Sequence, residues 1–344
     1  MNLQIINPIT YPDWNELLLS NQDYSFFHSS HWASVLTESY KYNPLYFSLI
    51  DGKKLSCLIP LMEIKSFVTG QRGVSLPFTD YCRPICNGDI NFHDAFNGLV
   101  EYGKKTGWKY IEIRDAGDFF KELPISSFYY GHNLNLLQDE QENYSKFKSS
   151  TKRNIRKAIK EGVEIKVCNT LDSVKEFYGL NCITRKMHGL PPQPYFFFRK
   201  IFDHIISKNL GIVVLASYKG KTIAGAVYFH FGEKAIYKYG ASEWRFQQLR
   251  ANNLVMWSAI QWYCQNGYKS LSFGRTDHDH KGLMQFKNGW GAEEKIIKYY
   301  RYDIKKKAFI NGGSHVSGFH NKVFNKMPIP LLKVVGSLFY KHMG

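Results

Sequence analysis

The chain carries an internal echo, and a repeat of that size restricts the fold more than any bulk property does. The stretch YFSLIDGKKLSCLIPLMEI at 46–64 reads as two apolar-rich strands around an Asp-Gly turn. Its counterpart, VVLASYKGKTIAGAVYFHF at 213–231, has the same form around Lys-Gly, with Gly52 and Gly220 at matching places. Downstream, FHDAFNGLVEYGKKTGWKYIEIRDAG at 92–117 reads as helix, glycine stop and alternating strand, and NNLVMWSAIQWYCQNGYKSLSFGRTD at 252–277 repeats that order. Gly107 and Gly267 are expected at the helix C-termini, where a left-handed residue closes the last turn. Ala251, Leu254, Val255, Ser258, Ala259 and Trp262 share one face of the second helix and should pack on the sheet.

Two similar α/β units are therefore expected, which suits a chain of 344 residues. The polar stretch QDEQENYSKFKSS joins them, giving expected boundaries of 1–137, 138–310 and a C-terminal tail, 311–344. The join leads into STKRNIRKAIKEG, a helix with Ser149 or Ser150 as N-cap and Gly162 as stop. Arg153, Arg156, Lys157 and Lys160 fall on one face of it, while Ile155, Ala158 and Ile159 supply the packed face. Such a charged face can simply be solvated, or it can dock phosphates.

The balance of 45 basic against 29 acidic residues, a formal charge of +16, favours a polyanionic partner: nucleic acid, an anionic membrane face or a phosphate-bearing substrate. A lysine-rich solvated surface is the plain alternative. The N-terminal residues lack the pattern of a secretory signal and no run is long enough to span a bilayer, so a cytoplasmic location is expected. Six cysteines are spaced like neither a disulfide framework nor a zinc site and are read as free thiols.

Two neighbouring stretches compete for the chemistry. Asp277, His278, Asp279 and His280 invite a metal, yet residues adjacent in sequence point different ways, and at most two could converge on one ion. The FKNGWG that follows is simpler to explain: Phe286 and Trp290 anchor it, Gly289 and Gly291 allow a tight path, and Lys287 is held in one orientation beside Arg275. A fixed ammonium there could stabilise an oxyanion or a leaving phosphate. Asp80 and Tyr81, in the loop SLPFTDYCRP, suit a sugar or nucleotide.

The RNIRKAIK helix, AGAVYFHFGEKAIYKYGAS, and FGR followed by FKNGWGAE resemble the FemAB-like branch of the GNAT superfamily, over about residues 25 to 303. The resemblance implies an α/β fold of two tandem GNAT-like domains, each a mixed twisted sheet flanked by helices. It implies transfer of an acyl or aminoacyl group to an amine of a sugar, nucleotide-sugar or lipid-linked envelope precursor. It casts Lys287 as the transition-state lysine and the Arg153/Arg156 region as a diphosphate contact. No general base stands out: proton removal assisted by the acceptor is one possibility within the family, with Asp277 and then Asp80 as side-chain candidates, and Asp80, Tyr81, Tyr239 and Arg275 are further substrate contacts. The segment EWRFQQLRAN at 243–252 stands where a coenzyme A-binding loop would be, without its glycines, so Arg245 and Arg250 are the candidates for donor phosphate. No tightly bound cofactor is expected; acyl-CoA and aminoacyl-tRNA both stay open as donors. The tail, NKMPIPLLKVVGSLFYKHMG, reads as a basic amphipathic helix that caps the second domain or lies on an anionic membrane. The rival readings are a non-catalytic nucleic-acid or anionic-lipid binding module, and a metal-dependent hydrolase using the DHDH loop.

Overall fold

The computed structural model describes residues 3–52, 54–87, 90–312 and 319–344. They form two compact units: 1–129 with 296–315 and 339–344, and 130–295 with 316–338.

The first unit opens with β1 (Gln4–Ile6), α1 (Trp14–Leu19) and α2 (Ser30–Tyr40). The expected hairpin follows as β2 (Asn43–Asp51) and β3 (Lys54–Ser66), then β4 (Gly70–Val74) and β5 (Ile85–Cys86). Next come α3 (Phe92–Thr106) and β6 (Tyr110–Arg114). Among the described pairings β2–β3 and β3–β4 are antiparallel, whereas β4 and β6 run parallel at Gly73↔Ile111 and Val74↔Glu112. Leu45, Ile59, Leu99, Ile111 and Phe120 belong to this unit's own core.

The chain enters the second unit along β7 (Ser127–Asn135), continuing through α4 (Glu140–Ser145), α5 (Ser149–Lys160), β8 (Glu164–Cys168), α6 (Leu171–Met187) and α7 (Tyr195–His204). The second hairpin is β9 (Gly211–Tyr218) and β10 (Lys221–Phe231), followed by β11 (Lys234–Ser242), α8 (Ala251–Gln265), β12 (Ser270–Thr276) and α9 (Lys281–Lys287). Again one parallel pair among the described strands, β11 with β12, sits beside antiparallel ones. Gly107 and Gly267 have φ of +75° and +76° behind their helices. The echo is thus a repeated architecture, hairpin and then a helix crossing to a parallel strand.

Three local expectations shift. Helix α5 begins at Ser149, one residue early, with Lys148 at its N-cap, and Lys148 N–H donates to the Gly289 carbonyl at 3.0 Å. Ile159 is exposed while Ile155 and Ala158 are buried, because the packed stripe of so short a helix is narrow. Helix α8 is buried on more than one face, with Met256, Trp257, Ile260 and Tyr263 inside as well.

After α9, β13 (Glu293–Asp303) brings the chain back to the first unit, pairing antiparallel with β6 from Tyr299↔Arg114 to Asp303↔Tyr110, and β14 (Ala308–Phe309) folds onto it. This return is why the compact units differ from contiguous segments divided at 137 and 310. Within 311–344, α10 (Phe319–Lys326) and α11 (Ile329–Phe339) follow. Leu332 and Gly336 of α11 are buried, and Lys333 Nζ lies 5.2 Å from the Tyr178 ring.

Candidate functional site

The second unit's sheet opens at its parallel pair. Strands β11 and β12 are paired only from Lys234↔Ser270 to Ile236↔Ser272. Beyond that β11 continues to Ser242 on β10, and β12 to Thr276 on β7, so the two part.

Each strand is also irregular there. In β11, Tyr237 faces Tyr228 and Tyr239 faces Val227, leaving Lys238 as an extra residue. A bulge of this kind reverses which side of the sheet later residues face. Tyr237 accordingly lines a cavity of about 260 Å³ with Val255 and Met256 of α8, whereas Tyr239 packs on Phe197 and Phe198 of α7. In β12 the ladder to β7 slips between Ser272↔Asn133 and Arg275↔Gly131, with Gly274 at φ +65°. Glycine adopts that conformation without steric cost. At this slip the carbonyls of Gly274 and Arg275 accept hydrogen bonds from Lys287 Nζ at 3.2 and 3.1 Å.

Lys287, the last residue of α9, is 2 % exposed. Its neighbours explain how an ammonium is held inside. Trp290 is fully buried, its ring 5.7 Å from Phe286 and 5.0 Å from Phe147. Gly289 is in such close approach to α5 that a Cβ would collide with Thr151 Oγ1. His132 of β7, also fully buried, has Nε2 2.8 Å from Asn288 Oδ1 and 3.3 Å from Glu294 Oε2. Burial first, and then the Lys287 charge, hold the His132 pKa below the usual histidine value.

A second cavity, of about 440 Å³, is framed by the starts of α5 and α8. Ser150, Thr151 and Arg153 line one side, and Arg250, Ala251 and Asn252 another. The first amides of a helix have no intrahelical acceptor, and the positive end of the helix dipole adds to them. Two such ends at one cavity suit an anion, set against the Glu243 carboxylate that lines the same cavity. Arg153 and Arg250 are in no ion pair among the described residues, so both guanidiniums can turn to a ligand. Arg250 has φ +59°, the left-handed conformation that glycine ordinarily supplies.

The other sequence candidates fall as follows. Arg275 is half-buried where β12 parts from β11. Asp277 is exposed in the turn beyond it, as are His278, Asp279 and His280. No group of three His, Cys, Asp or Glu side chains among the described residues could hold a metal ion. Arg156 is exposed on α5 but does not line the cavity, and its Nε–H donates to the Lys152 carbonyl at 3.4 Å. Arg245 is likewise off the cavity, paired through two hydrogen bonds, 3.1 and 2.8 Å, with the buried Glu243 carboxylate, which lines it. Asp80 and Tyr81 belong to the first unit, where the Asp80 carbonyl accepts the Tyr299 hydroxyl at 2.8 Å and the Tyr81 ring meets Phe27. Sequence reasoning missed Tyr237, hidden by the bulge, and His132, more than a hundred residues from its partners with no motif around it.

Residues 145–282 match the acetyltransferase (GNAT) domain family. Over 89 residues the chain is 34 % identical to a Lipid II:glycine glycyltransferase of Staphylococcus saprophyticus, 24 % of this chain and 21 % of that one. It is 24 % identical over 155 residues to the UDP-N-acetylmuramoylpentapeptide-lysine N(6)-alanyltransferase of Weissella viridescens, 45 % of each chain. The aligned stretch thus spans about a fifth of the first relative and under half of the second. The crystal structure of FemX superposes with a TM-score of 0.65 over 87 % of this chain and 97 % of that chain at 14 % identity. A tandem GNAT protein from the clavulanic acid biosynthesis pathway does so with 0.54 over 88 % and 99 % at 8 % identity. The tandem fold and the FemAB-like resemblance expected from the sequence are borne out. The chain is thus similar over residues 145–282 to acetyltransferase (GNAT) domains, over part of its length to these glycyl- and alanyltransferases, and in fold to FemX.

Proposed function

We propose that this protein is an acyltransferase that moves an acyl or aminoacyl group from a phosphate-bearing donor to an amine of a sugar, nucleotide-sugar or lipid-linked cell-envelope precursor. The observation that carries the proposal is the pair of helix starts, α5 and α8, with Arg153 and Arg250 at one cavity of the GNAT-type domain. Both donor classes, acyl-CoA and aminoacyl-tRNA, present phosphate oxygens that such a site suits. No resident cofactor enters the reaction.

In this reading the acceptor nitrogen attacks the donor carbonyl carbon and the carbonyl π pair moves to oxygen. When the carbonyl re-forms, the bond to the thiolate of coenzyme A or to the ribose oxygen of tRNA breaks, and the leaving group takes up a proton. We assign the proton lost by the amine to Asp277. We assign Lys287, buried and held by the Gly274 and Arg275 carbonyls, to steadying the transient oxyanion. Arg275 is assigned to the acceptor.

The acceptor reading draws support from relatives whose names specify lipid II and a UDP-linked muramoylpentapeptide. We include a peripheral position at the membrane: no helix among the described residues is long and apolar enough to cross one, yet Leu331, Val334 and Leu338 of α11 are exposed. A non-catalytic module for nucleic acid or anionic lipid is the second reading, favoured by the +16 charge. The deciding experiment supplies acyl-CoA or aminoacyl-tRNA with an amino-sugar nucleotide and follows acylated product, in wild type and Lys287→Met. Product from the wild type and loss of it in the variant support transfer; polyanion binding with no donor consumed supports the module.

A further inference from the structure

The turn between β3 and β4 presents an apolar tip to solvent. Phe67 is 88 % exposed and Val68 58 % exposed, although a phenylalanine normally gains by burial. The tip is not loose. Ser66 Oγ accepts hydrogen bonds from the backbone N–H of Val68 at 3.2 Å and of Thr69 at 3.0 Å, and lies 2.9 Å from His342 Nδ1. Lys109 Nζ donates to the Thr69 carbonyl at 3.2 Å, and the buried Arg72 donates to Thr69 Oγ1 and to the His342 carbonyl. The Phe67 ring stands edge-on to His342, 4.7 Å between centroids, and Met343, next in the chain, is 61 % exposed. The fold therefore holds three apolar side chains out in water on a braced support.

What surrounds them is positive. Lys65, Lys109 and Lys341 are exposed. Across residues 63–73 and 339–344 the only carboxylate side chain is Glu63, which is buried and paired with Lys65 at 3.1 Å. A protruding apolar tip within a collar of ammonium groups matches the boundary of an anionic bilayer. There the tip reaches past the headgroups while lysine stems lie along it and their charges meet phosphate.

We propose that the Phe67–Val68 tip, with Met343, is an anchor that inserts into an anionic lipid surface. It rests on the first unit alone and stands whether or not the acyl-transfer reading does. The test is co-sedimentation of the full chain with vesicles of phosphatidylcholine, or of phosphatidylcholine mixed with phosphatidylglycerol, at low and high salt. The wild type is expected to bind the mixed vesicles and to bind neutral ones far more weakly. Phe67→Ala should lower that affinity about tenfold or more, Lys341→Gln about fivefold, and Phe67→Trp should keep it. Because Phe67 packs little of its surface, these variants should unfold at the wild-type temperature. No binding to the mixed vesicles at low salt overturns the proposal. So does equal binding by Phe67→Ala, which leaves only the chain's net charge, and so does an affinity for single-stranded RNA, not vesicles, that drops with Phe67.

Discussion

At the scale of single residues, Lys287 carries a cost that a fold would otherwise avoid, an ammonium taken from water, and it is met by two carbonyls at the register shift of β12 on β7. Replacing it with methionine keeps the volume but leaves two carbonyls short of a donor, so some stability should go with the activity. We expect Lys287→Met to reduce turnover by roughly 100- to 1000-fold, the usual loss for one oxyanion-stabilising group. Thermal unfolding in parallel will show that the protein is still folded. His230 offers a pH test. It is buried, with Nε2 2.8 Å from the Asn209 carbonyl, and burial pushes its pKa from 6.5 down to about 4. The unfolded chain therefore takes up the proton first. The stability that His230 contributes is full above pH 6.5 and is lost as pH falls toward 4, by about 3 kcal/mol at most. Urea unfolding across that range should show a shallower fall for His230→Asn than for wild type, and parallel curves would contradict this. Of these residues Lys287 was legible, because the aromatic and glycine residues around it imply a fixed position. His132 was not, since its burial beside Asn288 depends on pairing between distant strands.

The elements tell a similar story. Both hairpins and both helix-to-strand crossings could be read from alternation and glycine placement, because those signals are local. The β11 bulge and the parting of β11 from β12 could not, as they depend on which neighbour each strand finds. The bulge is what puts Tyr237 on the cavity and Tyr239 against Phe198. The loop before α8 shows the same limit: it lacks the expected glycines, yet the chain takes the left-handed turn with Arg250. Arg250→Gly should relieve a strain of about 1 kcal/mol while removing a guanidinium from the anion site. If the proposed phosphate site holds, the expected result is an unchanged or higher unfolding temperature with weaker donor binding. A variant that unfolds earlier and binds as before would show that the side chain serves structure.

For the whole molecule, composition gave the sign of the charge but not its use, and the two similar units were legible as a duplication. What stayed hidden is the return of β13 to the first unit, since β13 bears no mark of which sheet it will join. The central claim is that the α5 and α8 starts form the donor's phosphate site. Its most direct test is calorimetric titration of acyl-CoA and of an aminoacyl-tRNA into wild type and an Arg153→Ala, Arg250→Gly double variant, at two salt concentrations. The account predicts that one donor binds the wild type, more weakly at higher salt, and loses about 10- to 100-fold in the folded double variant. Affinity unchanged by the two substitutions, or no binding of either donor to the wild type, would contradict it.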